Sequence, residues 1–169
     1  VDHLLVGEHG LIDRVPVHPS LFPVGQAFFE QALQALAFDW IGEPRFVRID
    51  VARQLLFAPW RAGDDLATNQ YGIPEPTLAA SSCLRPDELN AVLVPLLGFT
   101  RQGRRLGMGG GYYDASFGFR EITAASPLLI GVGFACQELD ALDAQAWDVN
   151  MDAIATEREW LDCPAKEYR

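Results

Sequence analysis

Apolar residues recur at helical spacing across residues 26–38. The face that this spacing creates carries Phe28, Ala32, Leu33, Leu36 and Ala37. We therefore predict an amphipathic helix over 26–38. Two short apolar segments, 45–49 and 54–60, are bounded by charged or turn residues and predict strands. Two prolines in segment 72–76 exclude a helix interior and a central strand, which predicts an extended or turn structure at the surface.

Two longer segments, 91–99 and 128–135, are apolar without alternation, as is typical of strands buried on both faces. Between them lie a glycine cluster and a helix candidate, 112–125, which Gly118 weakens. Strand, glycine-rich turn, helix and strand in this order predict a right-handed βαβ unit. We expect a single α/β domain over residues 1–169, with the first forty or so residues divergent. The expected architecture is a three-layer sandwich with a mainly parallel sheet, helices on both faces and the glycine-rich loop at the carboxyl edge of the strands.

Composition and net charge limit the kinds of molecule that the protein is expected to bind. Hydrophobic residues make up 49% of the 169 residues, enough for a folded core. The net charge of -10 disfavours binding to nucleic acid or to an anionic membrane. Because no long apolar run or signal sequence is present, we expect a cytoplasmic protein that does not bind membranes. Three cysteines are expected to be reduced and to act as small apolar residues: Cys83, Cys136 and Cys163.

The segment RRLGMGGGYYD, Arg104 to Asp114, concentrates backbone freedom and charge. Glycines let backbone N–H groups approach an oxyanion, and the helix that follows offers further N–H groups, so the segment suits a nucleotide phosphate. Arg101, Arg104 and Arg105 could add charge-assisted contacts. Asp114 would repel phosphates unless a cation such as Mg²⁺ lay between them. The alternative is that the glycines serve tight turns and Asp114 stabilises the start of a helix.

Three ordered segments resemble a known family. The segments VLVPLLGFTRQGRRLGMGGGYYD, GIPEP and WDVNMDAIATE resemble those of 5-formyltetrahydrofolate cyclo-ligases, also called methenyltetrahydrofolate synthetases. The resemblance extends from about Phe46 to Glu157. It implies a cytoplasmic enzyme that uses ATP and Mg²⁺ to convert 5-formyltetrahydrofolate to 5,10-methenyltetrahydrofolate through a phosphorylated formyl group. No nucleic-acid or membrane partner is implied, and we expect a monomer or weak homodimer.

The resemblance also implies roles for individual residues. Catalytic positions would be Arg104, Tyr112 and Tyr113. ATP would be bound by Arg104, Arg105, Leu106, Gly107, Met108, Gly109, Gly110, Gly111 and Tyr112. The folate would contact Tyr71, Gln26, Phe99 and Tyr113. Mg²⁺ would be held by Asp114 and Asp148.

The sequence also departs from this family. Its first forty residues contain Arg14 as their only basic residue apart from histidine, where relatives carry a basic helix. Gln26 stands in place of a glutamate, and Thr100 and Asn90 stand where aspartates are expected. Three hypotheses are therefore carried forward: an active cyclo-ligase, a homologue that binds nucleotide or folate without turnover, and a structural domain in which the glycines form only a turn.

Overall fold

The computed structural model describes residues 3–6, 12–15, 36–38, 44–49, 54–61, 63–121, 127–143 and 145–164. The chain divides into two compact units, Val1–Glu30 and Gln31–Arg169. In the first unit, β1 (His3–Val6) and β2 (Ile12–Val15) form an antiparallel pair in which His3 lies opposite Val15.

The second unit contains the strands and the helix that form the main sheet and its surroundings. In chain order these are β3 (Leu36–Phe38), β4 (Pro44–Ile49), β5 (Leu55–Pro59), β6 (Leu66–Thr68), β7 (Pro74–Pro76), β8 (Ala91–Pro95), β9 (Gly98–Phe99), β10 (Arg105–Leu106), α1 (Tyr112–Phe117), β11 (Leu128–Val132), β12 (Ala153–Ala155) and β13 (Trp160–Asp162). One-turn 3₁₀ helices lie at Ala80–Ser82, Pro86–Glu88, Gly118–Glu121 and Ala135–Gln137. Seven strands form one sheet in the order β13-β12-β11-β8-β3-β4-β5.

This sheet is mixed, which corrects the prediction of a mainly parallel sheet. The pairs β8–β11 and β11–β12 are parallel, whereas the other four pairs are antiparallel. Short connections account for three of the four antiparallel pairs, namely β3–β4, β4–β5 and β12–β13. Only a few residues join β4 to β5 and β12 to β13, and a short connection allows only an antiparallel return. The long connection from β8 to β11 contains α1 and forms the predicted βαβ unit.

The prediction of a helix over 26–38 is wrong for its last three residues, because residues 36–38 form β3. This strand is paired on both sides, with β4 and with β8. Its backbone hydrogen bonds come from distant parts of the chain, and such tertiary pairing overrides local periodicity. Residues 26–35 lie outside the described part of the chain.

Most other predicted elements are confirmed near their expected bounds. Segments 45–49 and 54–60 are β4 and β5, and β11 covers the start of 128–135. The apolar segment 91–99 is split into β8 and β9. Segment 72–76 contains β7, which pairs with β6 in a separate two-stranded sheet at the surface. Gly118 ends α1, and the chain continues as a 3₁₀ turn.

The inner face of α1 connects the glycine-rich segment to the core. Tyr113 and Phe117, one helical turn apart, stack with their ring centroids 6.2 Å apart. Phe117 is fully buried and also packs against Phe57 of β5. The Ser116 hydroxyl oxygen accepts a 2.8 Å hydrogen bond from the Leu55 backbone N–H. The position of α1 is therefore fixed relative to the sheet.

The described residues support the α/β class in outline. The sheet has parallel central strands, and within the described ranges α1 is the only α-helix. None of the described helices has the length and apolar character that crossing a membrane requires.

Candidate functional site

The glycine-rich loop, residues 107–111, begins beside the carboxyl end of β8. The chain leaves β8, forms the β9–β10 hairpin and returns, so that the Leu97 N–H donates to the Leu106 carbonyl at 2.8 Å. Residue Leu139, beyond the end of β11, donates its N–H to the Phe99 carbonyl at 2.8 Å. The loop therefore starts where the segments that follow two parallel strands meet, the edge at which α/β proteins bind ligands.

The glycines of this loop differ in their backbone φ angles. Gly109 and Gly111 have φ values of 79° and 66°, which side chains rarely tolerate. Gly107 has no positive φ, and a Cβ built there would meet nothing within 4 Å. Met108 is 86% exposed. The glycine at 107 is therefore not required by the fold itself, whereas those at 109 and 111 are.

The three arginines near the loop lie in different environments. Arg101 is ion-paired with Glu138 and Glu159 at 2.7 and 2.8 Å. Arg105 is mostly buried, with 8% of its side chain exposed. Arg104 is exposed, and its described side-chain contact is a long 3.5 Å hydrogen bond to the Leu142 carbonyl. Arg104 is therefore the best placed of the three to meet an anion from solvent.

Arg105 joins three segments of the chain. Its guanidinium donates to Asp114 Oδ1 at 2.7 Å and to the Val149 carbonyl at 2.5 Å, and it lies 5.8 Å from the centre of the Tyr113 ring. Asp114 Oδ1 also accepts a 3.0 Å hydrogen bond from the Val149 N–H. The residues before and after the glycine-rich loop are thereby bonded to each other and to Val149.

Tyr71 and Tyr112, predicted for folate and ATP respectively, are brought together by the structure. Their hydroxyls share a hydrogen bond of 2.5 Å, and their rings meet edge to face with centroids 6.1 Å apart. Tyr71 is 54% exposed, so its ring also presents a free surface. An exposed aromatic surface beside a backbone-lined loop suits a flat ring with a polar edge.

The conformation of Tyr71 depends on Asn69 and Glu75. The Asn69 side-chain oxygen accepts hydrogen bonds from the N–H groups of Tyr71 and Ile73, at 2.8 and 3.0 Å. Glu75 Oε1 accepts from the Asn69 amide at 2.8 Å and from the Ile49 N–H at 2.9 Å. Asn69 is not among the residues that the sequence predicts. Its signal is the Asn-x-Tyr-Gly pattern of a turn, which ends at Gly72 with φ 78°.

The remaining predicted folate contacts differ in accessibility. Phe99 is fully buried in the core, which favours a packing role, and its contact with the folate stays a prediction. Burial raises the pKa of the Tyr113 phenol well above its usual value, although the nearby Arg105 charge acts in the opposite direction. Tyr113 is therefore neutral at ordinary pH. Gln26 lies outside the described residues.

The two predicted metal ligands lie on connected backbone. Asp148 directly precedes Val149, whose N–H binds Asp114. Asp148 Oδ2 accepts a 2.8 Å hydrogen bond from the Gln145 N–H. Carboxylate oxygens are the ligands that Mg²⁺ prefers, and it commonly takes one or two of them together with phosphates. In the described part of the chain, no three His, Cys, Asp or Glu side chains cluster as a metal cage. The carboxylates of Asp114 and Asp148 are chemically suitable ligands for Mg²⁺.

The chain matches known proteins both in a family model and in fold. Residues 44–157 match the model of the 5-formyltetrahydrofolate cyclo-ligase family, and this range includes the glycine-rich loop, Tyr71 and Asp148. A 5-formyltetrahydrofolate cyclo-ligase of Haemophilus influenzae is 36% identical over 95 residues, which cover 56% of this chain and 50% of that protein. The enzyme of Escherichia coli K12 is 32% identical over 105 residues, covering 62% of this chain and 57% of that protein.

A solved structure, 5,10-methenyltetrahydrofolate synthetase of Aquifex aeolicus, superposes with a TM-score of 0.56 at 24% identity. The match covers 73% of this chain and 60% of that one, and it shows a common fold. The chain thus spans about half to three-fifths of the length of the relatives that it matches.

Proposed function

The chain belongs to the 5-formyltetrahydrofolate cyclo-ligase family, and we propose that it uses ATP to convert 5-formyltetrahydrofolate to 5,10-methenyltetrahydrofolate. The observation that carries the proposal is the contact between Tyr71 and Tyr112. It joins an exposed aromatic ring to the start of the helix that follows the glycine-rich loop. A pterin and a triphosphate bound to these two neighbouring surfaces would have their reacting ends close together, and positioning of this kind accounts for much of phosphoryl-transfer catalysis.

In the proposed reaction, the formyl oxygen attacks the γ-phosphorus of ATP and ADP leaves. N10 of the folate then attacks the activated formyl carbon, and the C–O bond to the phosphorylated oxygen breaks with release of inorganic phosphate. No side chain needs to act as a nucleophile. The protein would align the two substrates and stabilise negative charge on the transferred group.

Within this scheme the exposed Arg104 would contact the phosphates, and the backbone N–H groups of the loop would surround them. The Tyr71 ring would pack against the pterin, and Tyr112 would lie at the junction of the two substrates. Mg²⁺ would be held by Asp114 and Asp148, and it would supply positive charge beside the phosphates. The contributions of Arg105, Phe99, Tyr113 and Gln26 to substrate binding stay predictions.

The experiment that tests the proposal follows the absorbance of 5,10-methenyltetrahydrofolate when protein, Mg²⁺-ATP and 5-formyltetrahydrofolate are mixed. An Arg104→Ala, Asp114→Asn double variant serves as the blank. We expect formation of product by the parent and loss of product in the variant. No product at high protein concentration, with ATP binding retained in calorimetry, would support the homologue that binds without turnover. Absence of both product and ATP binding would leave the glycines as a structural turn.

Four broader features are proposed together with the activity. These are a single domain over residues 1–169, helical layers on both faces of the sheet, a cytoplasmic location, and a monomer or weak homodimer without nucleic-acid or membrane partners. The net charge of -10 supports the absence of nucleic-acid and membrane partners, and the shared fold supports the helical layers. Sedimentation equilibrium over a range of protein concentrations would test the oligomeric state.

A further inference from the structure

We propose that Arg105 and Asp114 form a clamp that closes the glycine-rich loop, and that Arg105 positions this loop instead of contacting phosphate directly. The clamp consists of the Arg105–Asp114 ion pair and the two Val149 backbone groups that it binds. The inference rests on the proposed function only for the identity of the ligand, ATP. The order of the ligand-free loop can be measured without it.

Arg105 is largely buried and is bonded in a way that favours a structural role. Only 8% of its side chain is exposed, compared with 21% for Asp114. Its guanidinium is engaged on three sides, by a carboxylate, a carbonyl and the Tyr113 ring. To reach a phosphate from solvent, Arg105 would have to break these contacts and leave the partly buried Asp114 charge without its partner, which is costly.

The neighbouring residues Arg104 and Arg105 differ in whether their charge is balanced. The positive charge of Arg105 is balanced at 2.7 Å by Asp114. The pair as a whole therefore attracts an anion only weakly. Arg104 carries no ion pair among the described residues and is exposed, so the next residue in the chain supplies the unbalanced charge. The two adjacent arginines thus have different roles. Arg104 is exposed to solvent, whereas Arg105 binds groups within the fold.

The clamp joins the two ends of the glycine-rich loop. Eight residues, 106–113, separate Arg105 from Asp114, and four of them are glycines with unusually large backbone freedom. Bonding the two ends to each other restricts the conformations that the loop can reach before a ligand arrives. A loop that is ordered in advance loses less entropy on binding, so its affinity for the ligand is higher. Val149 couples the same clamp to the segment that carries Asp148.

The test compares Arg105→Gln, Arg105→Lys, Asp114→Asn and the Arg105→Gln, Asp114→Asn double variant with the parent. Arg120→Gln is the matched control, because it breaks another partly buried Arg–Asp pair, Arg120–Asp152 at 2.7 Å. The first readout is the ¹⁵N heteronuclear NOE of Gly107, Gly109 and Gly111 in the ligand-free protein. The second is calorimetric ATP affinity in EDTA, which removes any contribution of a metal held by Asp114. Circular dichroism and the urea midpoint verify that each variant is folded.

We expect every clamp variant to lower the loop NOE values and Arg105→Gln to weaken metal-free ATP binding by about tenfold. Asp114→Asn should weaken metal-free ATP binding less than Arg105→Gln does, because it also removes a negative charge that repels phosphate. The double variant should bind no more weakly than Arg105→Gln, because both substitutions remove the same restraint. Arg120→Gln should change neither readout. Unchanged loop order together with additive losses of affinity would overturn the clamp and assign Arg105 to direct phosphate contact. If Arg105→Gln does not fold, the milder Arg105→Lys decides through the same readouts. If the parent binds no ATP, the proposed function fails, and the NOE values alone decide the clamp.

Discussion

The hydroxyls of Tyr71 and Tyr112 share a hydrogen bond although the residues lie 41 positions apart in the chain. Tyr71 belongs to the turn between β6 and β7, whereas Tyr112 begins α1 directly after the glycine-rich loop. The contact joins the surface proposed for the folate to the loop proposed for ATP. A substitution on either side should therefore affect the use of both substrates, with a larger effect on its own.

Tyr71→Phe removes the shared hydrogen bond but keeps the ring. Because a single hydrogen bond of this kind contributes modestly, we expect the KM for 5-formyltetrahydrofolate to rise by about two- to tenfold, with a smaller change in the KM for ATP. Tyr71→Ala removes the aromatic surface as well and should raise the folate KM further, by at least about tenfold. Steady-state kinetics with each substrate varied in turn would measure both. Equal KM values in Tyr71→Ala and the parent would contradict a role of Tyr71 in folate binding.

Arg104→Ala should weaken ATP binding by about ten- to a hundredfold, because the side chain offers charge-assisted hydrogen bonds to phosphate. Its free energy of unfolding should change by less than about 0.5 kcal/mol, since its described contact is one long hydrogen bond at an exposed site. Isothermal calorimetry and urea denaturation measure the two quantities. The matched control is Arg158→Ala, which removes an exposed arginine of the β12–β13 turn that is 3.6 Å from Glu157. A similar loss of ATP affinity in both variants would indicate a general charge effect and not a contact.

The sequence predicts the strands well where their apolar pattern is also their burial pattern, as in β5, β8 and β11. It fails for β3, because residues 36–38 continue a helical spacing and only their pairing with two distant strands makes them a strand. The parallel pairing of β8 and β11 is confirmed, but the prediction of a mainly parallel sheet is wrong for the strands outside β8, β11 and β12. Direction depends on the lengths of the connections, and a continuous apolar segment carries no information about them.

The environments of the arginines near the glycine-rich loop are also not predicted by the sequence. Arg101, Arg104 and Arg105 form one basic group in the sequence, yet the structure places one in surface ion pairs, one in solvent and one in a largely buried clamp. Residue type and spacing identify the segment and its glycines. They do not specify which guanidinium is neutralised, because its partners, Asp114 and Val149, approach through the tertiary fold.

A substitution at Gly107 should change ATP affinity without lowering the free energy of unfolding. Its φ is not positive and a Cβ would meet nothing within 4 Å, so Gly107→Ala should leave the free energy of unfolding unchanged or raise it by about 0.5 kcal/mol. ATP affinity should nevertheless fall by about tenfold, because the methyl group would hinder the close approach of phosphate to the backbone. Unchanged ATP affinity in this variant would argue against phosphate binding at this part of the loop.

Gly103 provides the contrasting case. It has φ 82°, and a Cβ there would lie 2.5 Å from the Met151 carbonyl oxygen and 3.0 Å from Cys163 Cβ. Gly103→Ala should therefore lower the free energy of unfolding by about 2 kcal/mol or more. The same urea titrations that serve Gly107→Ala would measure this difference.

Thr100 occupies a position where the family resemblance leads one to expect aspartate. It is 1% exposed, and its hydroxyl has no hydrogen-bond partner among the described residues. Thr100→Val replaces that hydroxyl by a methyl group of similar shape and should raise the free energy of unfolding by about 1 kcal/mol. Thr100→Ser is the control, because it keeps the hydroxyl but removes buried methyl contacts, and it should be less stable than the parent. A lower stability of Thr100→Val would mean that the hydroxyl has a bonding partner, such as a bound water.

The three cysteines should differ in reactivity towards iodoacetamide. Cys136 is exposed, whereas burial raises the pKa of Cys83 despite the opposing charge of Arg48. Burial and the carboxylates of Asp152 and Asp162 raise the pKa of Cys163 to about 11. At pH 8 only about one part in a thousand of Cys163 is thiolate, the reactive form, so labelling should proceed fastest at Cys136 and slowest at Cys163.

The same shift predicts a dependence of stability on pH. Because the folded state holds the Cys163 proton more tightly than the unfolded state does, the Cys163 contribution to stability is complete below the ordinary thiol pKa. It is lost progressively as pH rises towards about 11. Cys163→Ala should therefore show a smaller decrease in the urea midpoint than the parent between about pH 8.5 and 11.

The order in which the three cysteines react with iodoacetamide is measured by peptide mapping of timed labelling reactions. Cys136→Ser identifies the peptide that is labelled fastest. Faster labelling of Cys163 than of Cys83 would contradict the environment described for it.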